Sequence, residues 1–244
     1  MKLQSLVSLV ETLRTECPWD RAQTLASLKS KIIEESYELV EAIDSHDEHA
    51  IKEEIGDVLF LGFFVAKIFE DEHSITLDTL VGDTVEKYRK KHPHVFEGKD
   101  LADKEAVLKY WHESKRDIFT GIPKMLPALM AAMIIQERAA RLGFDWKSHV
   151  GALEKALEEI REVEASVGED RLFEECGDLL FACVNVLRHL SVDPEDALKH
   201  ANKKFIERFR KVLEALKERG KDLGDITLEE MDALWENLKE DGSQ

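Results

Sequence analysis

Helix breakers are scarce in this sequence: 12 glycines and 5 prolines are spread over 244 residues. Long helices can therefore run uninterrupted, and no alternating strand pattern with turn signals competes with them. Cysteine is scarcer still. Cys17, Cys176 and Cys183 are odd in number and lack C-x-x-C spacing, which speaks against a disulfide framework and fits reduced thiols. Long apolar runs are missing too, since the longest, 58–66, is too short to span a bilayer. The first residues, Met1-Lys2-Leu3-Gln4-Ser5, lead into an amphipathic pattern without the apolar block of a signal peptide. The expectation is a soluble cytoplasmic protein that meets no membrane. Positive charge is in deficit, and a net charge of −17 argues against a general binder of nucleic-acid polymers, whose affinity rests on clustered Lys and Arg. An acidic protein can still bind nucleotides where a metal intervenes.

What the chain has in abundance is acid at helical spacing, arranged twice. Glu34-Glu35-Ser36-Tyr37-Glu38 precedes Glu54-Ile55-Gly56-Asp57, and Glu158-Glu159-Ile160-Arg161-Glu162 precedes Glu175-Cys176-Gly177-Asp178. The offset is 124 residues between the first motifs and 121 between the second, so the connecting loop is shorter in the second half. Such an internal repeat predicts two helical domains of roughly 120 residues each: 1–119, a linker at 120–126 carrying Gly121 and Pro123, and 127–244.

The periodicity predicts an all-α chain. A first helix ends near Cys17-Pro18, because the residue before proline avoids the helical region. A second covers 24–43, with Leu28, Ile32, Ile33, Leu39, Val40 and Ile43 as its core side. A third starts near Asp47 and is apolar almost all round beyond Asp57, the mark of a central helix. A fourth covers 76–91 and a fifth 103–119. The order then begins again at 127–142, with Ser148 as N-cap of the next helix, Asp193-Pro194 as a start signal, and Thr227 to Glu230 at capping-box spacing.

In a helix, residues three and four apart share a face. Two helices presenting E-E-x-x-E and E-x-x-D to each other would supply four or five carboxylates, the hard oxygen ligands that Mg²⁺ takes alongside substrate phosphates. Without a cation, such convergence would be repulsive. An acid run alone is usually a solvated helix face. Here Glu54 and Asp57, like Glu175 and Asp178, abut residues that must be buried, and the pair of motifs recurs in the same order. Lys87 and Lys91, matched by Lys204 and Arg208, lie four apart and could meet phosphate oxygens or be ordinary surface charge. Trp111 and Trp235 could stack on a base or belong to the core. A helical nucleotide-sensing or protein-interaction module with little turnover is the competing reading. A di-iron bundle would want Glu-x-x-His on two helices, and only Glu70 to His73 has that spacing.

Taken in order, Cys17-Pro18-Trp19-Asp20, the two acidic pairs, Lys91-His92-Pro93-His94-Val95-Phe96, Leu126-Pro127-Ala128-Leu129, Gly143-Phe144-Asp145-Trp146 and Glu175-x-Gly177-Asp178-Leu179-Leu180-Phe181 resemble the MazG nucleoside triphosphate pyrophosphohydrolases over nearly the whole chain. The resemblance implies Mg²⁺-dependent hydrolysis of an NTP, and of dNTPs, to the NMP and pyrophosphate, with Mn²⁺ able to substitute. It also implies a homodimer and a housecleaning or regulatory role in the nucleotide pool. By the same resemblance, Glu159, Glu162, Glu175 and Asp178 are metal ligands. Lys155, Glu158, Arg171, Lys204, Arg208 and Trp235 contact the nucleotide, and Glu158 or Glu174 orients the attacking water. Position 171 is commonly Lys in the family. The first-half counterparts Glu35, Glu38, Glu54 and Asp57 are intact, so both halves are candidate metal sites, the second being favoured for catalysis.

Overall fold

The computed structural model describes residues 3–113, 117–218 and 227–241, and these form α-helices with no strand among them. The chain divides into two compact units, Met1–Asp103 and Lys104–Gln244.

In the first unit α1 (Leu3–Glu16) leads through the single turn α2 (Pro18–Arg21) to a hairpin of α3 (Lys29–Ser45) and α4 (Glu48–His73), followed by α5 (Leu77–Lys91) and α6 (Pro93–Phe96). Proline opens α2, where its missing N–H costs nothing. Asp47 caps α4 by accepting from the His49 and Ala50 amides at 2.9 and 3.3 Å. The core joins Val10, Leu28, Leu61, Phe64 and Ile68, with Phe60 and Phe63 packed against it. Three of those five come from α4, so the helix whose sequence is most continuously apolar is the central one.

The expected 24–43 helix begins later, at Lys29. Residues 25–28 form a turn ahead of it, in which the Thr24 amide donates to Ser27 Oγ at 3.0 Å and the Ser27 amide to Thr24 Oγ1 at 3.2 Å. The apolar side expected to be core is also largely uncovered: Ile32, Ile33, Val40 and Ile43 are 39–57% exposed. Among the described residues of this unit nothing covers that stripe, although Leu28 from the same side is 4% exposed.

The second unit holds α7 (Lys104–Glu113), α8 (Ala128–Ala140), α9 (His149–Ala165), α10 (Leu172–His189), α11 (Pro194–Glu218) and α12 (Leu228–Asp241). The fifth helix, expected over 103–119, is described to Glu113, and its continuation through 114–116 lies outside the described residues. Residues 117–120 form a turn in which the Phe119 amide donates to Asp117 Oδ1 at 3.0 Å. Arg138 of α8 ties this turn down by donating to the carbonyls of Ile118 and Thr120 at 2.6 and 3.0 Å. The segment 120–126 therefore falls inside the second unit.

The capping signals form bonds. Ser148 accepts from the Val150 amide at 3.4 Å, and Asp193 Oδ1 from the Glu195 and Asp196 amides at 2.9 and 3.1 Å. Thr227 and Glu230 exchange the reciprocal pair of a capping box. Helices α11 and α12 share the core of Val212, Leu216 and Leu234, while α9 packs along α10 and α10 against α8.

Candidate metal centre and adjoining pocket

Helix α9 carries Glu159 and Glu162 one turn apart, and α10 opens with Glu174 and Glu175. Because the two helices pack along each other, one carboxylate oxygen from each of Glu159, Glu162 and Glu175 comes within 4.8 Å of the others. Glu159 is only 4% exposed. Its Oε1 accepts from Lys155 Nζ at 2.7 Å, and its Oε2 is buried without a partner. Such an orphaned oxygen costs about 1–3 kcal/mol or more.

Loss of water, and then the neighbouring Glu159 carboxyl, push Glu162 above the usual carboxylate range. The carboxylates of Glu158 and Glu159 hold Lys155 above the usual lysine value. Lys155 also bonds Glu158 at 2.7 Å. Arg171 Nη1 lies 3.4 Å from Glu175, and its Nε donates to Glu169 at 2.9 Å. Hard oxygen donors, crowded like charge and an unpartnered buried oxygen together suit a divalent cation such as Mg²⁺.

Asp178, one turn beyond Glu175, is exposed and stands outside that close triad. It lines a cavity of about 560 Å³, shared with Lys155 and Glu159. Lys204, Arg208 and Trp235 do not line this cavity. Arg208 of α11 and Trp235 of α12 form another group, the guanidinium lying 4.9 Å from the ring centre with Phe205 5.1 Å away, and Lys204 is one turn before Arg208 on α11. Glu158 and Glu174 are exposed beside the triad.

The first half builds a parallel arrangement. Oxygens of Glu35, Glu38 and Glu54 lie within 4.8 Å of one another, with Glu35 buried and Glu38 exposed. Lys31 bonds Glu35 at 2.7 Å. Loss of water, with Glu38 and Asp57 nearby, raises Glu54. Asp57, like Asp178, is exposed and outside the triad.

Sequence reasoning gave a role to Lys155, Glu159 and Asp178 of this cavity but none to Gln136, Asn185 or Arg188. Gln136 of α8 and Asn185 of α10 are 6% and 7% exposed. Asp145 accepts from Arg188 Nη1 at 3.0 Å and lies 2.9 Å from His189 Nε2, which fastens the Gly143 to Trp146 loop to the end of α10. Burial alone would raise Asp145, but the Arg188 bond and the charges of Arg188 and His189 hold it below the usual range. The available signal was Gln136, a lone polar residue ending an apolar run.

No helix among the described residues is long and apolar enough to cross a membrane. The sequence pattern of the MazG nucleotide pyrophosphohydrolase domain matches residues 23–96. The chain is 42% identical over 244 residues to the nucleoside triphosphate pyrophosphohydrolase/pyrophosphatase MazG of Thermotoga maritima, covering 97% of this chain and 95% of that protein. It is 36% identical over 255 residues to the nucleoside triphosphate pyrophosphohydrolase of Escherichia coli, covering 98% and 97%. An uncharacterized protein of Bacillus subtilis, YabN, is 42% identical over 247 residues, with 96% of this chain and 50% of YabN covered.

Proposed function

This chain belongs to the MazG family and is a nucleoside triphosphate pyrophosphohydrolase, and from that premise we propose that it converts NTPs and dNTPs to the monophosphate and pyrophosphate at the α9/α10 carboxylates with Mg²⁺. The observation that carries the site is Glu159: a buried carboxylate with an unpartnered oxygen, within 4.8 Å of the Glu162 and Glu175 oxygens. Glu159, Glu162, Glu175 and Asp178 would hold the ion. When bound, Mg²⁺, or Mn²⁺ in its place, supplies positive charge to the polyphosphate and Lewis acidity to water.

The chain's own groups do the rest. Lys155 and Arg171 border the carboxylates and offset charge on the triphosphate as pyrophosphate leaves. Glu158 or Glu174, exposed beside the triad, accepts a proton from the attacking water and orients it. Lys204, Arg208 and Trp235 contact the nucleotide from the α11/α12 group.

The protein acts as a homodimer. Leu153, Leu157 and Ile160 on α9 and Leu180 on α10 are 43–60% exposed, an apolar stripe on the catalytic hairpin that a second copy would cover. Its place is the cytoplasm, and its role is housecleaning or regulation of the nucleotide pool.

The test is product identity. With Mg²⁺ and an NTP, chromatography should show NMP and pyrophosphate, and Glu162→Ala should remove most of the turnover. Orthophosphate as the sole phosphate product would overturn the reading.

A further inference from the structure

One group of basic residues has no part in the chemistry above, and it is gathered at the end of α5. Residues 87–96 hold four Lys or Arg, two His and no acid, in a chain of net charge −17. Helix α5 closes on Arg89, Lys90 and Lys91, where the helix dipole favours cations. Lys87 stands before that last turn, and the dipole falls off too fast to account for it. Lys31, Lys67, Lys90, Lys155 and Lys199 each reach a carboxylate. Lys87 reaches none among the described residues and lies over a ring instead.

The ring is that of Tyr88. Lys87 Nζ lies 5.3 Å from its centre and Lys91 Nζ 5.5 Å, so one phenol gathers two ammonium groups. Pro93 follows the end of α5, and His92 Nδ1 donates to the Tyr88 carbonyl at 2.7 Å, one of the acceptors that a helix end leaves open. The imidazole lies nearly parallel to the phenol, 6.3 Å between centres and 16° between planes. Tyr88 is thus braced from its own helix and is still 52% exposed. Arg89 repeats the pattern 5.6 Å from the centre of the Phe96 ring, which is 56% exposed.

Two like charges gathered on one exposed ring repel each other and gain from an anion that meets both. A ligand that also carries a flat group can use the face of the ring. Phosphates attached to a base meet both demands. A nucleic-acid chain offers the same chemistry, but a long polyanion would also meet the repulsion of the chain's net charge of −17, whereas one nucleotide needs only the patch. We propose that the end of α5 is a second nucleotide site, which takes a nucleoside triphosphate without a metal: Lys87 and Lys91 turn from the ring to the phosphates, and the base stacks on Tyr88 in their place. The site lies in the first unit and does not depend on the pyrophosphohydrolase reading above.

The experiment is a calorimetric titration of the full chain with ATP in EDTA, where the carboxylates have no divalent cation to join them to a triphosphate. Inorganic triphosphate, which has no base, is the second probe. Wild type should bind one ATP per chain. Lys87→Ala should weaken ATP and inorganic triphosphate alike by about tenfold, the loss of one hydrogen bond to a charged group, and removal of Lys91 as well should bring the loss to about 100-fold. Tyr88→Ala should weaken ATP by about tenfold and leave inorganic triphosphate unchanged.

Absence of ATP binding in EDTA overturns the site, and so does binding that Lys87→Ala leaves intact. Metal-free binding that Lys204→Ala removes would belong to the second unit, which overturns it too. A single-stranded oligonucleotide held more tightly than ATP by the same lysines shows a nucleic-acid surface, and a Lys87→Ala change in oligomeric mass in place of ATP affinity shows a contact between copies; either result overturns the proposal. Should Tyr88→Ala fail to fold, as judged by its melting curve, the exposed Lys87 decides through its own variant. Wild type that turns over no NTP but binds ATP in EDTA overturns the enzyme reading and leaves this site standing.

Discussion

In the α3/α4 hairpin, Lys31 reaches Glu34 and Glu35 at 3.4 and 2.7 Å; in the α9/α10 hairpin, Lys155 reaches Glu158 and Glu159, both at 2.7 Å. Each hairpin gathers three carboxylates within 4.8 Å. Their settings then diverge. Glu38 is exposed where Glu162 is half-buried, and Glu159 is the one carboxylate among the described residues with a buried, unpartnered oxygen. Arg171 stands beside Glu175, whereas the residue 121 positions earlier is Ala50. Possession of ligands is thus shared by the two halves, while desolvation and a flanking guanidinium distinguish the second. A ligand set alone does not make two sites equal.

The sharpest way to break that comparison is to remove one carboxylate from each half. Glu162→Ala should lower pyrophosphate release by about 10²–10³-fold, while Glu38→Ala should change it by less than about threefold, and the double mutant should match Glu162→Ala. Equal losses from the two single mutants would make the halves equivalent.

Metal binding compares the halves without turnover. Mg²⁺ at 100 times its dissociation constant should stabilise the wild type by about 2.7 kcal/mol, read as a rise in melting temperature. Glu159→Gln should remove more of that rise than Glu35→Gln.

Acid titration probes a fastening in the second half. Asp145 is held below its ordinary range, so the folded protein binds its proton less tightly than the unfolded chain. The stabilisation is complete above the unfolded value of about 3.9 and is lost as pH falls through the lower folded value. Asp145→Asn should cost about 1.5–3 kcal/mol at neutral pH, with the two denaturation curves converging at low pH. Among the second-half substitutions the mildest effect expected is that of Arg171→Ala, an increase of about tenfold in KM for the NTP. No change there would remove the flanking cation from the list of differences between the halves.

Much of this was legible because local chemistry fixed it. The Asp47, Ser148, Asp193 and Thr227 caps and the apolar run of α4 follow from spacing along single helices, and so does the pairing of Glu159 with Glu162; the approach of Glu175 to them comes from α10 packing along α9. What escaped depends on neighbours that the spacing does not name. Ile32, Ile33, Val40 and Ile43 have the period of a core face, but a period says that a face is apolar and not which surface covers it. The late start of α3 reflects a turn at 25–28 that the apolar period does not distinguish from a first helical turn. Gln136 stands out as a lone polar residue ending an apolar run, but the Phe181 carbonyl that holds it lies 45 positions away in the chain.

The Lys155 ammonium lies 2.7 Å from both Glu158 and Glu159 and is thus a counterion on a tether. Any cation held by Glu159 would share that carboxylate with it, so affinity for a divalent ion should depend on how far the lysine can swing aside. Swung aside, the same ammonium would still be within a side chain's reach of a polyphosphate at the carboxylates, and one residue would serve as counterion and phosphate contact in turn.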